Sequence, residues 1–520
     1  MCIPLRFPRW LAPAAFLCGC LLAVAAAASE RKSSFATAVE SISADELKRH
    51  VDYLASDALK GRESGRPGGQ AAGKYVRDGF AAIGLSGAGS GGSFFQDFGV
   101  RYRNVLAMLE GNDPKLKNQI IVVGAHYDHV GYGTRRNSRG PIGRIHNGAD
   151  DNASGTAGLL ELAEAFTMLP APPKRSILFF AFDAEERGML GSKYWISHPT
   201  VPLDRLVAML NMDMIGRLRD DRLIIFGTRS GGGWRRLISE QNEGPDLRIS
   251  FRWTLKANSD HFPFFRQNIP ILLWYTGVHN EYHSPRDDAH LINNPGISRV
   301  VRLLFGVTYE LANRDEIPRF RKEAGRETEY HHKQLVTEKA RLKGRLGVGW
   351  NPDESAAEGI RVTRITPGSA ADRADLELGD RIVEFNGRKT RSGDDLRAAV
   401  LLAENPAGMV LKRHGKEKPF ETAVKLDGKP VRLGIHWRPD PAEPGTIVLT
   451  RVISSSPAAR AGLRTGDRIY QVGGKNFSDG QEFSRLARTL PEPLELLVER
   501  DGQLRIVVLY IETEPLPKAA

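Results

Sequence analysis

Cysteine is nearly missing from this chain of 520 residues. The three that occur, Cys2, Cys18 and Cys20, all lie in its opening stretch. Once that stretch is removed, no disulfide, thiolate metal ligand or cysteine nucleophile remains. Any metal must then be held by His, Asp and Glu. Long apolar runs are also missing beyond Ala28, which leaves no later candidate for a membrane span. The glycine-rich stretch Gly84–Gly92 carries no G-x-x-x-x-G-K-[ST] pattern, so it is not a phosphate cradle. Basic residues exceed acidic ones, giving +11. They are dispersed and accompany no nucleic-acid motif, so a solvated basic surface is expected and no nucleic acid is expected as a partner.

The opening stretch has the form of a signal peptide over residues 1–28. Arg6 and Arg9 precede an apolar run from Trp10 to Ala28 that closes on the small residues Ala25–Ser29. Export to a periplasmic or extracellular setting follows. Leu17-Cys18-Gly19-Cys20 loosely resembles a lipoprotein cleavage box, but Cys20 lies inside the run rather than at its end. Lipid anchoring is therefore the lesser reading.

Residues 30–118 open with helical spacing at Leu47, Val51 and Leu54 behind a Ser43-Ala44-Asp45-Glu46 start. Short, continuously apolar runs follow at Gln119–Gly124, Ser176–Phe182, Leu206–Met212 and Ile269–Tyr275. Such runs read as strands covered on both faces. An amphipathic helix is expected over Thr156–Met168. The alternation predicts an α/β fold, a mostly parallel sheet with helices on both faces. Ligands in such sheets sit outside the carboxyl ends of the strands. His126, Glu186, Asp213 and His283 each follow one of the four runs.

With Asp150 from G-A-D-D-N-A-S-G at Gly148–Gly155, these are the candidate metal ligands: His126, Asp150, Glu186, Asp213 and His283. All are hard or borderline N and O donors, as catalytic zinc prefers. Three carboxylates and two imidazoles are too many for one catalytic ion with an open position. Shared between two zinc ions through one bridging carboxylate, they fit a hydrolase that clamps both oxygens of a displacement. Glu185 precedes Glu186, so one side chain can serve the metal and the other the attacking water. Asp128, two residues past His126, is placed to accept the other ring N–H of that histidine.

These blocks resemble the M28 zinc aminopeptidases. The resemblance is carried by H-Y-D at His126–Asp128, the Gly148–Gly155 block, D-A-E-E-R-G at Asp183–Gly188, N-M-D-M-I-G at Asn211–Gly216, S-D-H at Ser259–His261 and Y-H-S-P-R-D-D at Tyr282–Asp288. It implies that His126 and Asp213 bind one zinc, Glu186 and His283 the other, that Asp150 bridges them, and that Glu185 is the general base. It also implies removal of N-terminal residues from peptide substrates. The tyrosine that some relatives use against the oxyanion is replaced here by Leu255-Lys256-Ala257-Asn258, leaving Tyr275 and Tyr282 as stand-ins.

The zinc peptidase domain is expected over residues 30–312 and a charged linker over 313–344. An internal repeat follows, each echo 87 positions on, as from Arg345 to Arg432 and from Gly379 to Gly466. The copies, 345–427 and 428–514, resemble PDZ domains of the bacterial protease type, small and β-rich. Leu346–Gly349 and Leu433–His436 correspond to the carboxylate-binding loop, which implies capture of C-terminal peptide or protein ligands. Two competing readings share the fold: a metal-free scaffold or receptor, and a cyclising transferase with a single zinc. The complete set of donors stands against both.

Overall fold

The four apolar runs form strands because each is covered from two sides. The computed structural model describes residues 35–337, 344–353, 358–454 and 456–511; the expected signal peptide lies outside them. The strands are β1 (Phe95–Phe98), β2 (Tyr102–Leu109), β3 (Ile120–His126), β4 (Ser176–Phe182), β5 (Leu206–Met212), β6 (Arg222–Phe226), β7 (Arg248–Arg252) and β8 (Ile271–Tyr275). Their order in the sheet is β2-β4-β3-β5-β8-β6-β7, with β1 and the short strand Ser86–Gly87 also pairing with β2. The main helices are α1 (Ala44–Leu54), α2 (Pro67–Ala82), α3 (Gly155–Thr167), α4 (Leu190–Ser197), α5 (Trp234–Gln241), α6 (His261–Phe265) and α7 (Asn294–Asn313).

The central strands β4, β3, β5 and β8 run parallel. The flanks do not: β2 is antiparallel to β4, and β6 to β8. The sheet is therefore mixed: β6 and β7 pair parallel with each other, and the continuous parallel run of four strands carries the site. Alternate side chains face opposite layers. Ile120 and Val122 of β3 and Leu178, Phe180 and Phe182 of β4 pack with Trp195 of α4 and Phe264 of α6. Phe179 points the other way, toward Phe80 of α2 and Phe166 of α3, and Phe166 meets Phe305 of α7. A strand buried on both faces has no use for polar alternation.

The described residues fall into two compact units. One comprises the chain up to Gly231 together with Gln241–Gly325; the other comprises Gly232–Glu240 and the chain from Arg326 onward. The expected boundary near residue 312 therefore misses a short excursion. Residues 232–240 lie in sequence between β6 and β7 yet belong to the second unit. There the Glu443 carboxylate accepts the backbone N–H groups of Arg235 at 2.9 Å and Arg236 at 3.3 Å, capping the first turn of α5. The Arg235 guanidinium meets Glu499 through two bonds of 2.7 and 3.0 Å.

Part of the charged stretch is ordered too. Glu329–Val336 forms helix α8, started by a capping box between Thr328 and His331. Burial, with Arg468 and Arg235 adding to it, pushes the His332 imidazole down to about 4.

The repeats keep the same internal devices at the same offset. Arg413 grips Asp380 through bonds of 2.7 and 2.8 Å; Arg500 grips Asp467 through two of 2.7 Å. Trp350 packs so close to Gly393 that a Cβ there would fall 2.2 Å from its Nε1, and Trp437 leaves 2.1 Å at Gly480. Gly393 and Gly480 open helices α9 (Gly393–Leu402) and α10 (Gly480–Thr489). In the second repeat, Ile435–Asp440 is an edge strand. Between it and α10 lies a groove of about 710 Å³ lined by Trp437, Pro439, Gly480, Gln481, Ser484 and Arg488.

No helix among the described residues is long and apolar enough to cross a membrane.

Candidate metal centre

The carboxyl ends of β3, β4, β5 and β8 deliver the site. His126 is the last residue of β3, and its Nε2 lies 3.3 Å from Asp151 Oδ1 and 3.5 Å from Asp213 Oδ1. His283, beyond β8, places Nε2 3.0 Å from Asp151 Oδ2 and 3.1 Å from Glu186 Oε2. His129 joins this second group, with Nδ1 2.8 Å from Glu186 Oε1. The donor sets are thus His126, Asp151 and Asp213, and His129, Asp151, Glu186 and His283. A tetrahedral ion with bonds of about 2.0–2.1 Å spaces its ligand atoms roughly 3.3 Å apart. The N···O separations of His126 and His283 above, 3.0 to 3.5 Å, match that edge, so both sets suit zinc; the 2.8 Å contact of His129 with Glu186 is of hydrogen-bond length.

The structure corrects one expected ligand. Asp150 belongs to neither set; the shared carboxylate is that of Asp151, one oxygen to each. Asp150 is fully buried behind the site. Its Oδ1 accepts the Gly216 N–H at 2.6 Å and the Ser154 hydroxyl at 3.1 Å. Its Oδ2 lies 3.3 Å from His279 Nε2. Backbone geometry separates the neighbours: Asp151 and Asn152 leave helical φ/ψ inside an otherwise helical turn, so consecutive side chains diverge. Asn152 then ties this turn to the end of β5, accepting the Met214 N–H at 3.1 Å and donating to the Met212 carbonyl at 3.0 Å.

Asp128 also differs from expectation. Its carboxylate is 3.7 Å from His126 Nδ1, too far for a hydrogen bond. It accepts instead the Glu185 N–H at 3.0 Å, the Glu186 N–H at 3.4 Å and the Ser64 hydroxyl at 2.8 Å. Asp128 therefore shapes the turn that presents both glutamates.

The model of peptidase family M28 matches residues 104–308, and a PDZ domain model matches 361–411 and 448–500. Residues 104–308 are a peptidase family M28 domain. Aminopeptidase YwaD of Bacillus subtilis (strain 168) is 28% identical over 210 residues, 38% of this chain and 43% of that protein. Leupeptin-inactivating enzyme 1 of Streptomyces exfoliatus is 28% identical over 246 residues, 45% of this chain and 49% of that one. The chain thus spans less than half the length of either relative. The crystal structure of the Legionella pneumophila LapA aminopeptidase aligns with a TM-score of 0.46 and 19% identity, covering 55% of this chain and 76% of that one.

Charge in the M28 site is strongly concentrated. Burial alone would lower the His283 imidazole, but hydrogen bonds to Asp151 and Glu186 outweigh it and push it up to about 11. Burial likewise opposes the ionised Asp151, yet His126 and His283 hold its carboxyl well below the usual range. Glu185 behaves oppositely. Burial drives its carboxyl well above the ordinary value; His126 opposes this, while Asp260, Glu186 and Asp213 reinforce it. The Tyr282 ring stacks on His283 at 4.0 Å and under the Arg139 guanidinium at 4.6 Å. Burial, then Asp151 and Glu186, raise its phenol.

Several supporting residues stand outside the set of site residues expected from the sequence. Arg62, fully buried, donates to the carbonyls of Tyr127 and Gly148 at 2.8 Å and of Leu54 and Asn147 at 2.6 Å. It clamps the His126 and Asp151 loops together and sets a positive charge behind the carboxylates. Asp287 accepts the N–H groups of Asp150 at 2.9 Å and Asp151 at 3.1 Å. The Asn137 carbonyl accepts His283 Nδ1–H at 2.8 Å, which leaves Nε2 free to ligate. Two were open to discovery in the sequence: His129, a second histidine three positions past His126, and Asp287, inside the Tyr282–Asp288 block.

Proposed function

We propose that this chain is an exported aminopeptidase with two zinc ions, one held by His126 and Asp213, the other by Glu186 and His283, with Asp151 between them. The observation that carries the reading is the split Asp151 carboxylate, one oxygen directed to each donor set. Bound zinc would supply Lewis-acid polarisation of the scissile carbonyl and ease ionisation of the attacking water. Glu185 accepts the proton of that water and returns it to the leaving amine. Its carboxyl lies buried among His126, Asp260, Glu186 and Asp213, surroundings that suit a proton-transfer group. The choice of N-terminal residues rests on the activity named for the Bacillus subtilis relative.

The PDZ-like repeats add a second peptide-binding function. The edge strand Ile435–Asp440 and the groove beside α10 suit an extended peptide or protein terminus added as a strand.

Two measurements test the proposal. Elemental analysis of purified enzyme should give two zinc ions per chain; one or none would favour the transferase or the scaffold. Fluorogenic aminoacyl substrates should be hydrolysed while N-acetylated twins are not. Equal cleavage of blocked and free substrates would remove the aminopeptidase reading.

A further inference from the structure

His129 is the one imidazole at the site that neither the two-zinc reading nor the general base uses. It lies on the segment leaving β3, with its side chain fully buried. One ring edge rests on Gly148, where an added Cβ would fall 2.4 Å from His129 Cδ2. Gly148 also holds φ +56°, a left-handed conformation that side chains resist. The loop carrying Asp151 thus approaches the ring as closely as a backbone can.

Glu186 is engaged from both ends. Its Oε1 is 2.8 Å from His129 Nδ1, and its Oε2 is 3.1 Å from His283 Nε2. His129 Nδ1 is 4.0 Å from Asp151 Oδ2, beyond hydrogen-bond reach, so the short contact is specific to Glu186. His129 Nε2 is buried and meets no partner. The proton therefore resides on Nδ1, where a carboxylate receives it.

We infer that His129 is a positioning residue for Glu186: its Nδ1–H holds Oε1, which turns Oε2 toward His283 and Asp151. It thereby sets the affinity of the metal position built from Glu186 and His283, and leaves that of His126 and Asp213 unchanged. The inference rests on the two-zinc reading above.

Stepwise zinc affinities, measured by chelator competition on the full chain, test it. His129→Leu should weaken one of two sites by about 10–100-fold, the usual effect of removing an outer-shell partner, and leave the other as in wild type. His129→Asn places an amide N–H near the position of Nδ1 and should restore most of the loss. Cobalt-substituted protein should show the same selectivity in its visible absorption. If His129→Leu unfolds by circular dichroism, His129→Gln carries the test, since its donor sits one bond farther out and should fail to restore the affinity. Unchanged affinities in the Leu variant would overturn the inference, as would equal weakening of both sites, or an Asn variant as impaired as the Leu. Wild-type protein that binds no zinc would overturn the two-zinc reading itself and this inference with it.

Discussion

The carboxylate of Asp287 accepts the backbone N–H of Asp151 at 3.1 Å, and the same oxygen takes the N–H of Asp150 at 2.9 Å. The residue that spans both donor sets is thus fixed through its main chain, leaving its two carboxylate oxygens for the site. Asp287→Ala should keep the fold and lower zinc affinity at both positions by about 10–100-fold. Chelator competition checks this. A loss confined to one position would show that Asp287 does not act through Asp151.

The adjacent aspartates should separate cleanly. Asp151→Asn should lose metal from both positions, because its oxygens face both sets. Asp150→Asn keeps an acceptor for the Gly216 N–H and should retain two zinc ions by elemental analysis. The reverse pattern would return the bridging role to Asp150.

Proton transfer can be separated from binding at Glu185. Glu185→Gln should retain zinc while kcat falls by about 10²–10⁴, the typical range for loss of a general base. The KM for a small aminoacyl reporter should move little. A variant with near wild-type kcat would assign the base to another group.

A pH dependence of stability is built into the second unit. Burial pushes the Glu443 carboxyl up to about 7, Asp440 adding to the rise and the Arg235 N–H and the charges of Arg468 and Arg235 opposing it. An unfolded glutamate titrates near 4.3, so between about pH 4.3 and 7 the folded chain holds the extra proton. Stability should therefore fall as pH rises through that window, by on the order of 3–4 kcal/mol. Glu443→Gln stays neutral and keeps an acceptor for α5. By calorimetry at pH 5 and 7.5, its Tm should vary less than that of wild type and exceed it at pH 7.5. A parallel pH profile in the variant would exclude Glu443 as the source.

The sequence by itself determined the strands, the repeats and most of the donors. Continuous apolar runs such as Ser176–Phe182 admit little but a doubly covered strand, and a ligand following each run has only the carboxyl edge of the sheet to occupy. The 87-residue repeat survives as paired Arg–Asp grips because it is written residue by residue. Tertiary structure decided the rest. In Asp150-Asp151 the two side chains are chemically identical, and only the backbone turn and the partners at Gly216 and Asp287 decide which one faces the site. Arg62, Asp287 and the Asn137 carbonyl act from 65 or more positions away in sequence from the site loops they hold. No local spacing announces them. The excursion of 232–240 into the second unit depends on burying Arg235 against Glu499, a pairing between residues 264 positions apart. Periodicity reads what the chain does with its neighbours in sequence. Contacts that stabilise buried charge are chosen by whatever the fold brings alongside.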